Sequence, residues 1–199
     1  MKTKHTLIFG SLLVLSCSLF AQEAVKKDVA RPEPTNDEKA WMAYMTPGPM
    51  QKMLASASGD WMEELTFWQA PGAPATKAEA KCNNSMILGD RYQVSVSAGM
   101  MMGMPFEGRS TVAYDNARKI FQSTWIDNMG TGIVYMEGPY DSATRTVSMK
   151  GKMIDPMSGK VENARQTMKF IDEKHQEMEM YVTKDGKEFK NMEIKFTKR

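Results

Sequence analysis

Four methionines stand at positions 100, 101, 102 and 104, between Gly99 and Pro105. Thioether sulfurs are soft ligands that suit Cu(I). Methionine is also a flexible apolar side chain that fills irregular cores and adapts to varied apolar partners. Methionines occur throughout the chain, and no histidine or cysteine lies near this cluster in sequence. Three interpretations therefore stay open: the cluster packs a loop or core, it lines the mouth of an apolar ligand site, or it binds copper.

Carboxylates offer a second possible chemistry. Glu107 and Asp127 fall on neighbouring predicted strands. If Trp125 points into the fold, strand alternation turns Asp127 inward with it. A buried carboxylate needs a partner, and Arg91 or Arg165 is the expected one. Asp127 would then orient the polar head of a ligand, and Asp127 or Glu107 would alternatively act as a general base. The plainer interpretation is a structural ion pair or a turn-capping aspartate.

Nucleophilic and metal chemistry have little support in the sequence. Beyond residue 21 the chain has one cysteine, Cys82, and one histidine, His175. We interpret Cys82 as a small buried thiol, because a nucleophilic cysteine needs a partner that lowers its pKa. His175 follows a predicted turn, and we expect it to be exposed. The sequence shows neither zinc-ligand spacing nor a phosphate-binding glycine loop, so we predict no metal and no cofactor.

The first 21 residues are typical of an export signal. Lys2 and Lys4 precede an uncharged apolar run over 7–20, and Ala21 is a small residue that suits cleavage. The run is too short to span a bilayer comfortably, since a spanning helix needs about 20 apolar residues. We therefore predict a periplasmic or secreted protein with no transmembrane segment in the mature chain. The alternative is a lipoprotein signal that ends at Cys17 and leaves the protein anchored through that residue.

The mature chain is predicted to be formally neutral. Loss of Lys2 and Lys4 would reduce the 26 lysines and arginines to 24, which equals the 24 aspartates and glutamates. Neutrality argues against a nucleic-acid binder, which needs a dense basic face. Residues 22–36 are polar and contain prolines, which favours a flexible tether. Residues 37–199 then form the folded domain.

Two short helices are predicted at the start of this domain. The first covers 37–45 with Asn36 as its N-cap, and the second covers 49–57 with Pro49 in its first turn. Gly59 ends the second helix. Beyond Gly59 the hydrophobic pattern changes to a period of two, which is typical of β-strands.

Ten strands joined by short turns are predicted in the remaining chain. Hairpin-linked strands indicate an antiparallel up-and-down sheet, and closure into a barrel removes its exposed edges. The fold class is therefore mainly β, a lipocalin-like barrel of about ten strands with a short N-terminal helical cap; a two-layer sandwich is the alternative. Residues 98–105 are expected to form a loop at one end. The predicted strands are 60–68, 77–87, 90–98, 106–115, 119–127, 131–139, 144–154, 160–171, 175–183 and 188–198.

The order of several short motifs resembles a known family. They include Thr46-Pro47-Gly48, Leu88-Gly89-Asp90-Arg91-Tyr92, Pro105-Phe106-Glu107-Gly108, Trp125-Ile126-Asp127-Asn128-Met129-Gly130-Thr131 and Asp185-Gly186-Lys187-Glu188. Over residues 45–199 this order is similar to the bacterial family called domain of unknown function 1579. The resemblance implies a lipocalin-like exported or soluble domain, and it implies no known reaction. The family pattern often has a histidine beside the lysine after the Pro-Gly turn, where this chain has Gln51-Lys52.

A smaller resemblance concerns the first strand. Gly59-Asp60-Trp61 resembles the lipocalin signature, in which the tryptophan closes the floor of the barrel. In such barrels a basic residue near the last strand often lies over that tryptophan. Lys198 or Arg199 would serve here through a cation–π contact.

These observations predict that the protein binds a small, largely apolar or amphipathic molecule inside the barrel. Aromatic residues and a methionine would supply apolar contacts, and two arginines and an aspartate would orient a polar head. Soft-metal handling, acid–base catalysis and a structural role in an envelope assembly are the alternatives. The candidate ligand-binding residues are Arg91, Met102, Trp125, Asp127, Tyr135 and Arg165.

Overall fold

The computed structural model describes residues 33–184 and 186–199. The predicted signal peptide, the alternative anchor Cys17 and most of the predicted tether lie outside these residues. They stay predictions. Within the described residues, the helices are too short or too polar for any of them to cross a membrane.

Two short helices precede the strands, as predicted. Helix α1 (Asn36–Met45) is capped by Thr35 rather than by the predicted Asn36. The Thr35 hydroxyl accepts a hydrogen bond of 3.2 Å from the Glu38 amide, and the Glu38 carboxylate accepts one of 2.7 Å from the Thr35 amide. This reciprocal pair satisfies two amides that a helix start leaves free. Helix α2 (Pro49–Ser56) follows, with Pro49 in its first turn.

The rest of the chain forms antiparallel strands, which confirms the predicted fold class. Consecutive strands pair with each other except β6 and β7; β7 is a two-residue segment that pairs with β8. The strands are β1 (Gly59–Phe67), β2 (Thr76–Ile87), β3 (Tyr92–Met101), β4 (Met104–Asp115), β5 (Ile120–Asp127), β6 (Val134–Gly138), β7 (Tyr140–Asp141), β8 (Thr146–Ile154), β9 (Val161–Phe170), β10 (His175–Lys184) and β11 (Lys187–Lys198).

The sheet closes into a barrel through two pairings between strands that are not consecutive in the chain. β1 pairs with β11, and β6 pairs with β8, so ten strands form one ring. Glycines permit the close approach of β6 and β8. A Cβ atom at Gly151 would lie 2.2 Å from the carbonyl oxygen of Tyr135, and one at Gly138 would lie 1.9 Å from that of Ser148. The single ring excludes the two-layer sandwich.

The hairpin between β3 and β4 differs from the prediction. The expected loop over 98–105 is wrong, because β3 continues to Met101 and β4 begins at Met104. Met102 and Gly103 alone form the turn, with φ angles of 51° and 77°. Positive φ at both turn residues suits the twist of the flanking strands, and it allows pairing up to Met101 and Met104.

Helix α2 closes one end of the barrel through side-chain hydrogen bonds. The Gln93 amide donates to the carbonyl of Leu54 over 2.6 Å, and the Asn84 amide donates to that of Ala57 over 3.2 Å. Gln51 is buried. Its side chain accepts from the Gly48 amide and donates to the carbonyl of Tyr114. These bonds hold the helix across the strand ends.

Trp61 forms the floor beneath this helix. Its indole donates a hydrogen bond of 2.9 Å to the carbonyl of Ala57, and its side chain is almost fully buried. The ammonium of Lys198 lies 5.6 Å from the centre of the Trp61 ring and donates to the carbonyl of Ser56 over 3.0 Å. The predicted cation–π contact is therefore confirmed for Lys198.

Candidate functional site

One half of the barrel interior is lined by methionine. These residues belong to the core cluster or pack against it, and they alternate along β8 to β11 with side chains that face outward. Methionine is unbranched and polarizable, so it adapts its shape to its neighbours. We call this surface the methionine wall: Met149, Met153, Met168, Met178, Met180 and Met192.

The middle of the opposite half of the interior is lined by small side chains, whereas larger residues such as Tyr114 and Phe121 lie on the same strand faces nearer α2. β2 to β5 lie five positions away from β8 to β11 in the ten-strand ring, so the two surfaces face each other. Serines 95, 110 and 123 share their strand faces with buried residues and retain partly accessible surface. Small side chains leave space in front of the strands that carry them. We call this surface the small-residue wall: Ala80, Cys82, Ser95, Ser97, Gly108, Ser110 and Ser123.

Aromatic rings lie at the end of the interior away from α2. Trp125 stacks on Phe106, with ring centres 6.4 Å apart. The Trp125 ring also covers Gly108, where an added Cβ would come within 2.4 Å of it. Both helices of the described chain lie at the opposite end, where Leu54 of α2 accepts from Gln93 and Tyr44 of α1 accepts from Asn116 in the turn after β4. This end is the candidate entrance for a ligand.

Glu63 is an acid in the interior that sequence reasoning missed. Its side chain is 4% exposed, and its Oε1 accepts a hydrogen bond of 2.9 Å from the Ser97 hydroxyl. Burial raises the pKa of the Glu63 carboxyl, and the Ser97 hydrogen bond partly opposes that rise. The ion pairs among the described residues do not include Glu63. Glu63 alternates with Trp61 and Leu65 along β1, so the period-two pattern of the sequence predicts that this acid lies on an apolar face.

Cys82 lies beside Glu63 and is buried, as predicted. Its sulfur is 3.2 Å from Oδ1 of Asn84. Burial and the neighbouring Glu63 raise the pKa of the Cys82 thiol to about 12. The thiol is therefore protonated at neutral pH and is a poor nucleophile.

Trp125 and Asp127 are the two predicted site residues that the structure brings together. The Trp125 indole donates a hydrogen bond of 2.7 Å to Oδ2 of Asp127, and the Met129 amide donates one of 2.9 Å to Oδ1. Asp127 therefore caps the turn after β5, which was the plainer interpretation. The expected ion pair of Asp127 with Arg91 or Arg165 is wrong.

Both arginines lie away from the interior. The Arg91 guanidinium donates to the carbonyls of Leu88 and Gly89 in its own hairpin turn, each over 3.1 Å. Arg165 forms an ion pair of 2.9 Å with Glu188 and lies 3.9 Å from the centre of the Tyr181 ring. Its neighbour Ala164 is buried, so strand alternation turns Arg165 outward.

Tyr135 also lies on the outer surface. Met136 is buried in the core, so the adjacent Tyr135 faces outward. Its hydroxyl donates a hydrogen bond of 2.6 Å to Glu137, which also pairs with Arg118. These bonds lower the pKa of Glu137 to about 2. Tyr135 therefore belongs to a surface network, and its predicted role in ligand binding has no support from its position.

The four clustered methionines do not share one surface. Met102 is at the tip of the hairpin and is 71% exposed, whereas Met101 packs against the core cluster. Met100 pairs with Pro105 and Met101 pairs with Met104, so strand alternation turns the two pairs to opposite faces. Among the described residues, histidine, cysteine, aspartate and glutamate form no group of three that could hold a metal ion.

Glu107, the other candidate for acid–base chemistry, and His175 are both on the surface. Glu107 is exposed and forms an ion pair of 2.8 Å with Arg109, two residues along the same strand. His175 is exposed at the start of β10, as predicted, with Nδ1 2.9 Å from the Asp172 carboxylate. The six predicted ligand-binding residues therefore do not converge on one site, and their role in binding stays a prediction.

Comparisons with known proteins agree with the barrel fold. The chain is similar to the crystal structure of Rv2717c from M. tuberculosis, with a TM-score of 0.59 and 10% sequence identity over 77% of this chain and 99% of that chain. A likeness at this identity shows the fold alone. No curated protein matches the sequence. The model of a family described as "protein of unknown function (DUF1579)" matches residues 46–198. The chain therefore belongs to the DUF1579 family.

Proposed function

We propose that this protein binds a small, largely apolar molecule inside its barrel. The observation that carries the proposal is the composition of the interior, where the methionine wall faces the small-residue wall. Small side chains leave room on one side, and flexible methionines adapt to the shape of a guest on the other. Ligand sites are typically apolar and concave, with a few placed polar groups. Glu63 and Ser97 supply such groups here.

The ligand enters at the end that Trp125 and Phe106 line. The opposite end is closed by α2, which is held by hydrogen bonds with three strands and by the Trp61 floor. The aromatic pair offers an apolar surface at the entrance, and the Trp125 indole is already fixed by Asp127. A guest would therefore meet a preformed aromatic edge before it reaches the methionine wall.

Titration with an apolar dye tests this proposal. Nile red added to the whole protein is expected to give saturable fluorescence with one dominant site, and native mass spectrometry after gentle purification is expected to show a retained small molecule. Absence of both dye uptake and a retained molecule would overturn the proposal.

The two alternative functions receive less support from the geometry. Cu(I) handling needs several thioethers at one point, whereas Met100 and Met101 lie on opposite faces of the hairpin. Acid–base catalysis by Asp127 or Glu107 needs a carboxylate free to reach substrate. Asp127 already accepts hydrogen bonds on both oxygens, and Glu107 is paired with Arg109 on the surface.

We also propose that the protein acts outside the cytoplasm. The support is the sequence of residues 1–21, with two early lysines, an uncharged apolar run and a small residue before the expected cleavage. The mass of the protein recovered from the cell envelope tests this proposal. A mature chain that begins at Gln22 is expected. A chain that begins at an acylated Cys17 would support the lipid-anchored alternative, and an uncleaved chain would contradict export.

A further inference from the structure

Glu63 is a buried acid on the interior surface of the barrel. It lies on β1, and the residue that donates to it, Ser97, lies on β3. Neighbouring strands are about 4.8 Å apart, so the Glu63 side chain reaches across the inner face of β2. There it passes over Ala80 and Cys82, which are small. The carboxyl group therefore lies on the small-residue wall.

The polar partners of this carboxyl group in the described chain are neutral. The Ser97 hydroxyl on β3 donates to it, the neighbouring Cys82 thiol on β2 donates to Asn84, and the residue opposite Glu63 on β11 is Phe196. An ionised carboxylate can accept about four hydrogen bonds. A buried carboxylate without a counter-charge is costly, and that cost falls when a cation binds to it.

Among the described residues, no basic side chain forms an ion pair with Glu63. Lys198 lies at the floor, where its ammonium is bound to the carbonyl of Ser56 and lies over Trp61. Arg91 and Arg165, which were expected to supply positive charge inside, bind partners elsewhere. The second acid near the interior, Asp127, is already satisfied by the Trp125 indole and the Met129 amide. Glu63 is therefore the group that remains for a charged part of a ligand.

We propose that the ligand is an amphipathic cation whose ammonium group binds the carboxylate of Glu63. Its apolar body would lie between the methionine wall and the small-residue wall. This inference rests on the proposed function, because it needs a ligand in the barrel. It adds the chemical class of the ligand and the residue that selects it.

Three probes with the same chain and different heads test the inference: decylammonium, 1-decanol and decanoate. Calorimetric titration of the whole protein is expected to show decylammonium binding at least about tenfold more tightly than 1-decanol, because a charge-assisted hydrogen bond replaces a neutral one. In Glu63→Gln the two affinities are expected to agree within about twofold, with 1-decanol unchanged. The matched control is Glu64→Gln on the exposed face of the same strand, which should keep the wild-type ratio.

A second measurement on the wild-type protein does not depend on how the variant folds. The ratio of decylammonium to 1-decanol affinity is expected to fall at least about fivefold between about pH 8 and about pH 4, since Glu63 becomes protonated while the probe stays charged. Cys82 is the titratable group that packs against Glu63 from β2. It stays protonated in this range, because its pKa is raised to about 12.

Each contrary outcome has a separate meaning. Equal affinities for decylammonium and 1-decanol in the wild type, or the same ratio in Glu63→Gln, would overturn the role of Glu63. A preference for decanoate would also overturn it, while leaving the barrel as a binding site for apolar chains. Failure of all three probes and of Nile red to bind would overturn the proposed function itself.

Discussion

The indole nitrogen of Trp125 donates a hydrogen bond of 2.7 Å to Oδ2 of Asp127, and the Trp125 ring lies directly over Gly108 on the adjacent strand. The two residues are on the same face of β5, so the bond lies along the strand and fixes the ring at the end of the barrel away from α2. The position of Trp125 therefore depends on the absence of a side chain at position 108.

Substitution Gly108→Ala is expected to destabilise the fold by about 1–3 kcal/mol, because the new methyl group would displace the Trp125 ring in a packed site. Urea denaturation measures the loss, and a shift in tryptophan emission reports the displacement. Gly132→Ala is the matched control, since nothing lies within 4 Å of its added Cβ. Equal stability of the two variants would contradict the described position of the ring.

Substitution Gly151→Ala is expected to be more damaging, with a loss of about 3 kcal/mol or more. The added methyl would lie 2.2 Å from the backbone oxygen of Tyr135 on the strand that closes the ring, and a backbone atom has less freedom to move than a side chain. Thermal and urea unfolding check this. A fully stable variant would show that β6 and β8 do not meet as described.

Glu63→Gln is expected to make the protein more stable than the wild type at about pH 8, and equal to it below about pH 4. Burial raises the pKa of folded Glu63 above its ordinary value of 4.5, so the folded state holds this proton more tightly than the unfolded state. Wild-type stability therefore falls as pH rises from the ordinary value through the raised one, whereas glutamine does not titrate. Urea midpoints across this range measure the difference.

Glu64→Gln is the control for this pH dependence, because Glu64 is exposed on the same strand. Its unfolding curve should remain parallel to that of the wild type. A parallel curve for Glu63→Gln as well would mean that Glu63 is ionised as readily in the folded chain as in the unfolded one.

Ser110→Phe is expected to weaken Nile red binding by at least about tenfold, because the ring would fill the space in front of the small-residue wall. Ser110 lies on the inner face of β4 and pairs with Trp125. Thr111→Phe places the same ring on the outer face of that strand, and its dye affinity should remain that of the wild type. Equal weakening by both variants would place the dye outside the barrel.

The fold was largely predictable because its signals are local. Period-two hydrophobicity and turn residues indicated ten strands, and both helices began within a residue of their predicted starts. The third hairpin was misjudged because Met102 adopts a positive φ that is uncommon for residues other than glycine. That turn allows the strands to continue through a segment whose composition suggested a loop.

The site was less predictable because it depends on which face each residue occupies. Trp125 and Asp127 were correctly placed together by alternation along one strand. The charge of Arg91 and Arg165 suggested an interior role. Arg91 instead donates to two carbonyls of its own hairpin turn, and Arg165 pairs with Glu188, both outside the interior. Glu63 was overlooked although it alternates with Trp61 and Leu65. A charged residue that alternates in step with apolar ones indicates an interior position more strongly than charge alone does.

Methionine methyl groups offer the most direct test of a ligand-binding interior, because the described part of the barrel carries methionines on both its inner and its outer surface. Methyl NMR spectra recorded during titration with 1-decanol, with signals assigned by single substitutions, would report which surfaces the probe contacts. We expect shifts at Met149, Met168 and Met180 on the methionine wall, and none at the exposed Met157. Shifts confined to Met157 and the hairpin tip at Met102, or no shifts at all, would contradict a guest inside the barrel.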